Sequence, residues 1–185
     1  SKSVPGKNIK ELCGKPLIAY SIEIAKEIGR IDKIFVSTED DNIAIVAKKY
    51  GADIIPRPYN LAQDDSPEWL AWQHAIKWLE ERNDNFDIFI SLPTTSPLRN
   101  EKDITQCISS LDEKTDMVVG ITEAARSPWF NMVQKNDSGF IDVLMKNDNC
   151  YTRRQDTPAI FDMTTVAYVS RPKFIEDSAG VFEGK

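Results

Sequence analysis

The residues able to do chemistry fall into a few short stretches. Ser1-Lys2-Ser3-Val4-Pro5-Gly6-Lys7-Asn8 sets two lysines, a glycine and small polar groups ahead of a helical stretch. Phosphates favour backbone N–H groups, and lysine ammonium groups act on them as point charges. The stretch is not a P-loop, because Gly6-Lys7 is followed by asparagine and no glycine stands at the required spacing. Arg57-Pro58 opens a polar loop running to Asp65, and an arginine there suits a two-pronged grip on phosphate. Asp64 and Asp65 either orient a ligand or favour the following helix N-terminus electrostatically. Pro93-Thr94-Thr95-Ser96-Pro97-Leu98-Arg99 places three hydroxyls between two prolines. Arg153-Arg154-Gln155-Asp156 is a polar cluster whose arginines suit a carboxylate or a phosphate. Each stretch also has a plain structural reading: a solvated loop, a surface arginine, a turn capped by its own hydroxyls, or a solvated face. His74 reads as a helix-face residue rather than a base, and Trp69, Trp72 and Trp78 as core or interface.

These stretches need elements to position them. Ile18, Ile22, Ala25 and Ile28 follow helical spacing from Pro16 to Gly29. Residues 33–37 are short and β-branched and read as a buried strand. Asp40 or Asp41 caps a helix carrying Ile43, Val46, Ala47 and Tyr50, closed by Gly51. Residues 53–55 form another strand. Ser66-Pro67-Glu68 reads as an N-cap, a first-turn proline and an acidic first turn. The helix behind it carries Trp69, Trp72, Gln73, Ile76 and Leu79. Residues 87–92, 116–121 and 164–170 read as strands, and Ile104, Cys107, Ile108 and Leu111 as a helix. Two apolar runs around Asn136-Asp137-Ser138-Gly139 suggest a hairpin. Helices alternating with short apolar strands predict an α/β fold with a mostly parallel sheet covered on both faces. Ligands in such sheets bind beyond the carboxyl ends of the strands, where the Arg57 and Thr94–Ser96 loops fall.

Composition excludes several classes. The 185 residues are 41% hydrophobic and 28% charged, ordinary for a globular domain and unlike a fibre or a coiled coil. The chain reads as one domain, residues 1–185, without repeats or linkers. A net charge of −6 argues against non-specific nucleic-acid binding. No apolar run reaches membrane-span length and no signal-peptide pattern opens the chain, so the expected location is cytoplasmic, with no membrane partner. Cys13, Cys107 and Cys150 are odd in number and widely spaced, which suits reduced thiols. One histidine and no CxxC speak against structural zinc.

Taken in order, Ser-Lys-x-x-Pro-x-Lys-Asn, Gly14-Lys15-Pro16-Leu17, Arg57-Pro58-x-x-Leu61-Ala62, Thr95-Ser96-Pro97-Leu98-Arg99 and Arg154-Gln155 resemble the acylneuraminate cytidylyltransferases. That family includes the CMP-sialic acid synthetases and relatives acting on legionaminic and pseudaminic acids. The resemblance covers nearly the whole chain. It implies a Rossmann-like three-layer sheet, with the hairpin as a dimerisation excursion and a homodimer as the assembly. It implies a reaction joining CTP to a nine-carbon 2-keto sugar acid with release of pyrophosphate, and magnesium (Mg2+) as the cofactor. By that likeness Lys7 and Lys2 are the catalytic residues and meet the triphosphate. Asn8 and Arg57 contact the nucleotide, and Ser66 sits by the cytidine. Thr95, Ser96, Arg154, Gln155, Thr164 and Tyr168 face the sugar.

Three departures accompany the likeness. The family's opening strand and the start of its phosphate loop do not precede Ser1. Its acidic metal motif is expected beyond residue 185, so no metal ligand is assigned here. The sugar-facing positions differ from the sialic-acid pattern, with Pro93-Thr94 in place of a glutamine and Asp162-Met163-Thr164-Thr165 in place of Arg-Pro-Asn-Gly. These last changes bring legionaminic and pseudaminic acids forward as substrates. The alternatives are a sugar nucleotidyltransferase of the same fold using another NTP or sugar phosphate, and a scaffold that lost the chemistry.

Overall fold

The structure is a computed structural model that describes residues 4–63, 65–146 and 151–185. By contact it divides into two compact units, Ser1–Gly120 with Thr165–Lys185, and Ile121–Thr164.

The first unit opens with a 3-10 turn, Lys7–Ile9, and a small antiparallel hairpin, β1 (Glu11–Leu12) and β2 (Lys15–Pro16). Its two turn residues, Cys13 and Gly14, have φ of 51° and 79°. Left-handed backbone at both positions matches the right-handed twist of a two-residue hairpin. Helix α1 (Leu17–Glu27) buries Ile18, Ala19, Ser21, Ile22 and Ala25, one face at three- and four-residue spacing. Helix α2 (Asp41–Lys49) is capped by Asp40, whose carboxylate accepts from the N–H groups of Asn42 and Ile43 at 2.7 and 3.2 Å. Strands β3 (Phe35–Thr38) and β4 (Asp53–Pro56) flank α2 in sequence and pair in parallel, Phe35 opposite Asp53 and Thr38 opposite Pro56. Ile18 and Ile22 of α1 and Ala47 of α2 close over Val36 and Ile54, while Ile55 meets Ala75 and Leu79 of the next helix.

Helix α3 (Glu68–Glu80) lays down the aromatic core. Trp69 and Trp72 lie 5.4 Å apart by ring centroid, and Trp72 is 5.2 Å from Tyr168. The expected Ser66 N-cap is not formed. Pro67 occupies the cap position without a side-chain bond, and the Ser66 hydroxyl donates to the Asn60 carbonyl at 2.7 Å instead. Strand β5 (Phe89–Ser91) is followed by α4 (Glu101–Ser110), which starts with a full capping box between Asn100 and Asp103. Strand β6 (Met117–Glu123) leads into the second unit and β9 (Phe161–Ser170) returns from it. These strands make a three-stranded sheet in the order β5-β9-β6. Alternate residues sort to its two faces. Ala167 and Val169 pack with Ile104, Cys107 and Ile108 of α4, while Tyr168 packs with Trp69, Trp72 and Ile175. Helix α5 (Pro172–Asp177) is tied to α3 by Gln73, whose amide donates to Ile175 O at 2.9 Å, and the adjoining chain by the Trp69 indole, which donates to Ser178 O at 2.8 Å.

The second unit holds the expected hairpin, β7 (Val133–Lys135) and β8 (Ile141–Val143), paired antiparallel with Val133 opposite Val143. Its turn uses Gly139 at φ 85° and the Asn136 side chain, which accepts from the Phe140 N–H at 3.0 Å.

The fold is thus mixed α/β with small sheets rather than one mostly parallel sheet. β3 and β4 follow the parallel expectation, but β5 and β9 pair antiparallel, Phe89 opposite Ser170 and Ser91 opposite Tyr168. The reason is connectivity. Parallel neighbours need a helical crossover, and β9 is reached through the hairpin rather than through a helix, so it enters from the opposite end.

Candidate active site

Two loops of the first unit meet through one side-chain bond. The 3-10 turn bearing Lys7 and Asn8 is entered through Gly6 at φ 63°, and the Gly6 carbonyl accepts from the N–H groups of Ile9 and Lys10 at 3.1 Å each. That left-handed start lets the chain turn back at once without a Cβ clash. Thr94, in the loop after β5, donates its hydroxyl to Asn8 Oδ1 at 2.8 Å. Lys7 and Asn8 are half-buried. Lys7 makes no ion pair among the described residues. Its charge is therefore available to an anion.

Thr95 and Ser96 continue the same loop. Their hydroxyls lie 3.2 and 2.7 Å from the Thr165 hydroxyl, which stands on β9. Arg99 braces this arrangement from behind. Its Nη1 donates to Ser21 Oγ of α1 at 2.9 Å, and its Nη2 donates to the carbonyls of Pro93 and Thr165. Burial pushes the Arg99 guanidinium down to about 10.

Arg57 stands just past the carboxyl end of β4. Its Nε donates to Ser37 Oγ at 3.1 Å and its Nη2 to Ser37 O at 2.6 Å, while its backbone N–H donates to Thr38 O at 3.0 Å. The guanidinium is thereby fixed against β3. Its field reaches two neighbours on α3. The Glu68 carboxyl is pushed up by loss of solvation, opposed by a hydrogen bond from Trp72 and by the charge of Arg57. His74 is pushed down by burial and then by Arg57, against a smaller upward pull from Glu81. An imidazole held this way stays neutral at physiological pH, in keeping with a helix-face residue.

The remaining expected residues are placed as follows. Lys2 and Asp64 lie outside the described residues, as does Cys150. Ser66 is half-buried, its hydroxyl held by the Asn60 carbonyl. Tyr168 is only 7% exposed, and its ring packs within the aromatic core. Arg154, Gln155 and Thr164 belong to the second unit. Arg154 donates to Ala125 O at 3.1 Å within that unit, and Gln155 is exposed. The structure adds Ser37, Thr165 and the bracing role of Arg99, and it shows Thr94 as the link to Asn8. Thr94 and Thr165 stand at the positions where the chain departs from the sialic-acid pattern, which was the signal available for them. Among the described residues no group of three His, Cys, Asp or Glu side chains gathers to hold a metal ion.

The cytidylyltransferase family matches residues 1–182. The chain is 30% identical over 185 residues to post-translational flagellin modification protein B of Campylobacter coli, covering 98% of this chain and 77% of that one. It is 31% identical over 185 residues to CMP-N,N'-diacetyllegionaminic acid synthase of Campylobacter jejuni subsp. jejuni, with the same coverage of 98% and 77%. It is 43% identical over 107 residues to a pseudaminic acid cytidylyltransferase of Campylobacter jejuni subsp. jejuni, 57% of this chain and 46% of that enzyme. In fold it is similar to CMP:2-keto-3-deoxy-manno-octonic acid synthetase complexed with CTP, with a TM-score of 0.66, 16% identity and coverage of 94% of this chain and 70% of that one. A lysine turn latched to a hydroxyl loop, set in a chain that matches along nearly its whole length, leads to one conclusion: the chain belongs to the acylneuraminate-type cytidylyltransferases.

Proposed function

We propose that the protein activates a nine-carbon 2-keto sugar acid with CTP, giving the CMP-sugar and pyrophosphate. The observation that carries this reading is the Thr94–Asn8 bond, which sets a lysine with no ion pair among the described residues beside a loop of hydroxyls. The anomeric hydroxyl of the sugar attacks the α-phosphorus of CTP. A new O–P bond forms, the bond to the bridging oxygen of the β-phosphate breaks, and the hydroxyl proton leaves to solvent. Catalysis of such a transfer rests on positioning and charge stabilisation. Lys7 supplies the charge, aided by Lys2. Asn8 and Arg57 hold the nucleotide, with Ser66 by the cytidine. Thr95, Ser96 and Thr164 face the sugar, with Arg154 and Gln155. Tyr168 serves by supporting β9 from the core. Magnesium would neutralise part of the triphosphate charge.

The names of the relatives support pseudaminic and legionaminic acids as the first substrates to try. The wider proposal includes a Rossmann-like three-layer arrangement, a cytoplasmic location and a homodimer joined through the β7–β8 hairpin. Support for the homodimer comes from that hairpin's exposed apolar residues, among them Phe140 at 73% and Ile141 at 69%. No helix of the described residues is long and apolar enough to cross a membrane.

The test is pyrophosphate release by the full-length protein with CTP, magnesium and a panel of N-acetylneuraminic, legionaminic, pseudaminic and ketodeoxyoctonic acids. Turnover with a nine-carbon acid is the expected result. Turnover only with another NTP, or with a sugar phosphate in place of the acid, would overturn the reading.

A further inference from the structure

We propose that Arg99 is a positioning residue that arms the Thr95–Ser96–Thr165 hydroxyl cluster for a carboxylate-bearing ligand. The inference rests on the function proposed above and names a residue through which that site selects its acid. Arg99 is 8% exposed, yet among the described residues it forms no ion pair with a carboxylate. Its acceptors are the neutral oxygens of Ser21, Pro93 and Thr165, and its Nε is buried with no partner. A buried cation without a counter-charge is expensive, and an apolar side chain of similar volume would fill the same space more cheaply. The positive charge therefore answers a need that packing alone does not create.

Thr165 shows where that charge acts. Its carbonyl accepts from Arg99 while its hydroxyl meets those of Thr95 and Ser96. One residue thus links the guanidinium to the hydroxyl cluster. Three hydroxyls carry three protons, and the two contacts among them use two. One O–H is left over from these contacts, backed by a cation with no counter-charge among the described residues. That combination favours an anionic oxygen over a neutral one, and the 2-keto acid brings a carboxylate.

The experiment compares wild type, Arg99→Gln and Arg99→Lys with CTP, the sugar acid and the same sugar as its carboxamide. In Arg99→Gln the KM for the acid should rise about tenfold or more while the KM for CTP stays within about threefold. The preference for acid over carboxamide should fall about tenfold, and Arg99→Lys should recover most of it, because it restores the charge. A merely structural brace would raise both KM values together and leave the preference unchanged, which would overturn the proposal. Should Arg99→Gln fail to fold by circular dichroism, Thr165→Val replaces it. That variant keeps the carbonyl held by Arg99 and loses the hub hydroxyl, so an unaltered KM for the acid would equally overturn the proposal. Absence of turnover by wild type with every acid would overturn the underlying function instead, so the two failures are told apart.

Discussion

Arg57 and Ser37 are joined twice, side chain to side chain at 3.1 Å and side chain to backbone at 2.6 Å. The pair ties the loop after β4 to β3, whose next residue, Thr38, also accepts the Arg57 N–H. An arginine held at Nε and Nη2, with no hydrogen bond at Nη1 among the described residues, loses little freedom on binding a ligand. Ser37→Ala removes one of the two contacts. A hydrogen bond to a charged group nets about 1.5–3 kcal/mol. Part of that is retained by the carbonyl contact, so the KM for CTP should rise by about tenfold, with the KM for the sugar acid little changed. Steady-state kinetics with each substrate varied in turn checks this.

Lys7 has no acidic partner among the described residues to neutralise it. Lys7→Ala should lower kcat by roughly 10²-fold, the scale for losing one group that stabilises transition-state charge. Pyrophosphate release at saturating substrates reads this directly, and turnover within threefold of wild type would remove Lys7 from the chemistry.

The Thr94–Asn8 bond predicts coupling. Thr94→Val and Asn8→Ala should each lower kcat/KM, and the double variant should lose less than the sum of the two losses. Contacting residues in one network couple by about 0.5–3 kcal/mol. Additive losses would mean that the two loops act independently.

Glu68 links the site to stability. Burial raises its carboxyl above the ordinary value of 4.5, against the pull of Trp72 and Arg57. The folded protein therefore holds this proton more tightly than the unfolded chain. Stability from this group is present below the ordinary carboxyl value and is lost as pH rises through the folded one. Glu68→Gln should flatten that fall. Its gain in Tm over wild type should be greater at pH 7 than at pH 4, read by thermal melts at both. A gain independent of pH would contradict the shift.

The elements of the first unit were legible because local rules and burial agree there. Asp40 caps α2, the spacing of Ile18 and Ile22 is helical, and Asp53–Pro56 sets the apolar pair Ile54 and Ile55 inward between two exposed ends. The pairing of β5 with β9 was not legible, because nothing local to Phe89 or Ser170 states the direction in which a distant strand returns. Ser66 looked like a cap from its neighbours Pro67 and Glu68, but the Asn60 carbonyl competes for its hydroxyl. Lys7, Asn8, Thr95 and Ser96 could be picked out by residue type. Thr165 is marked only by the departure from the sialic-acid pattern, since its residue type does not show that one threonine in a strand is the hub for two hydroxyls and a buried arginine. The family likeness sets Tyr168 toward the sugar, while the alternation along β9 turns it into the aromatic core.

The β5-β9-β6 order has a consequence for how the protein is made. During synthesis β5 and β6 emerge long before β9, and neither has its central neighbour until about residue 170 has been translated. Until then two strand edges stay open and the Trp69–Trp72 face lacks Tyr168, a state prone to sticking to other chains. The same late strand delivers Thr165. Sheet closure and assembly of the hydroxyl cluster are therefore a single event on the ribosome, and a nascent chain released before it would have neither a closed sheet nor a site.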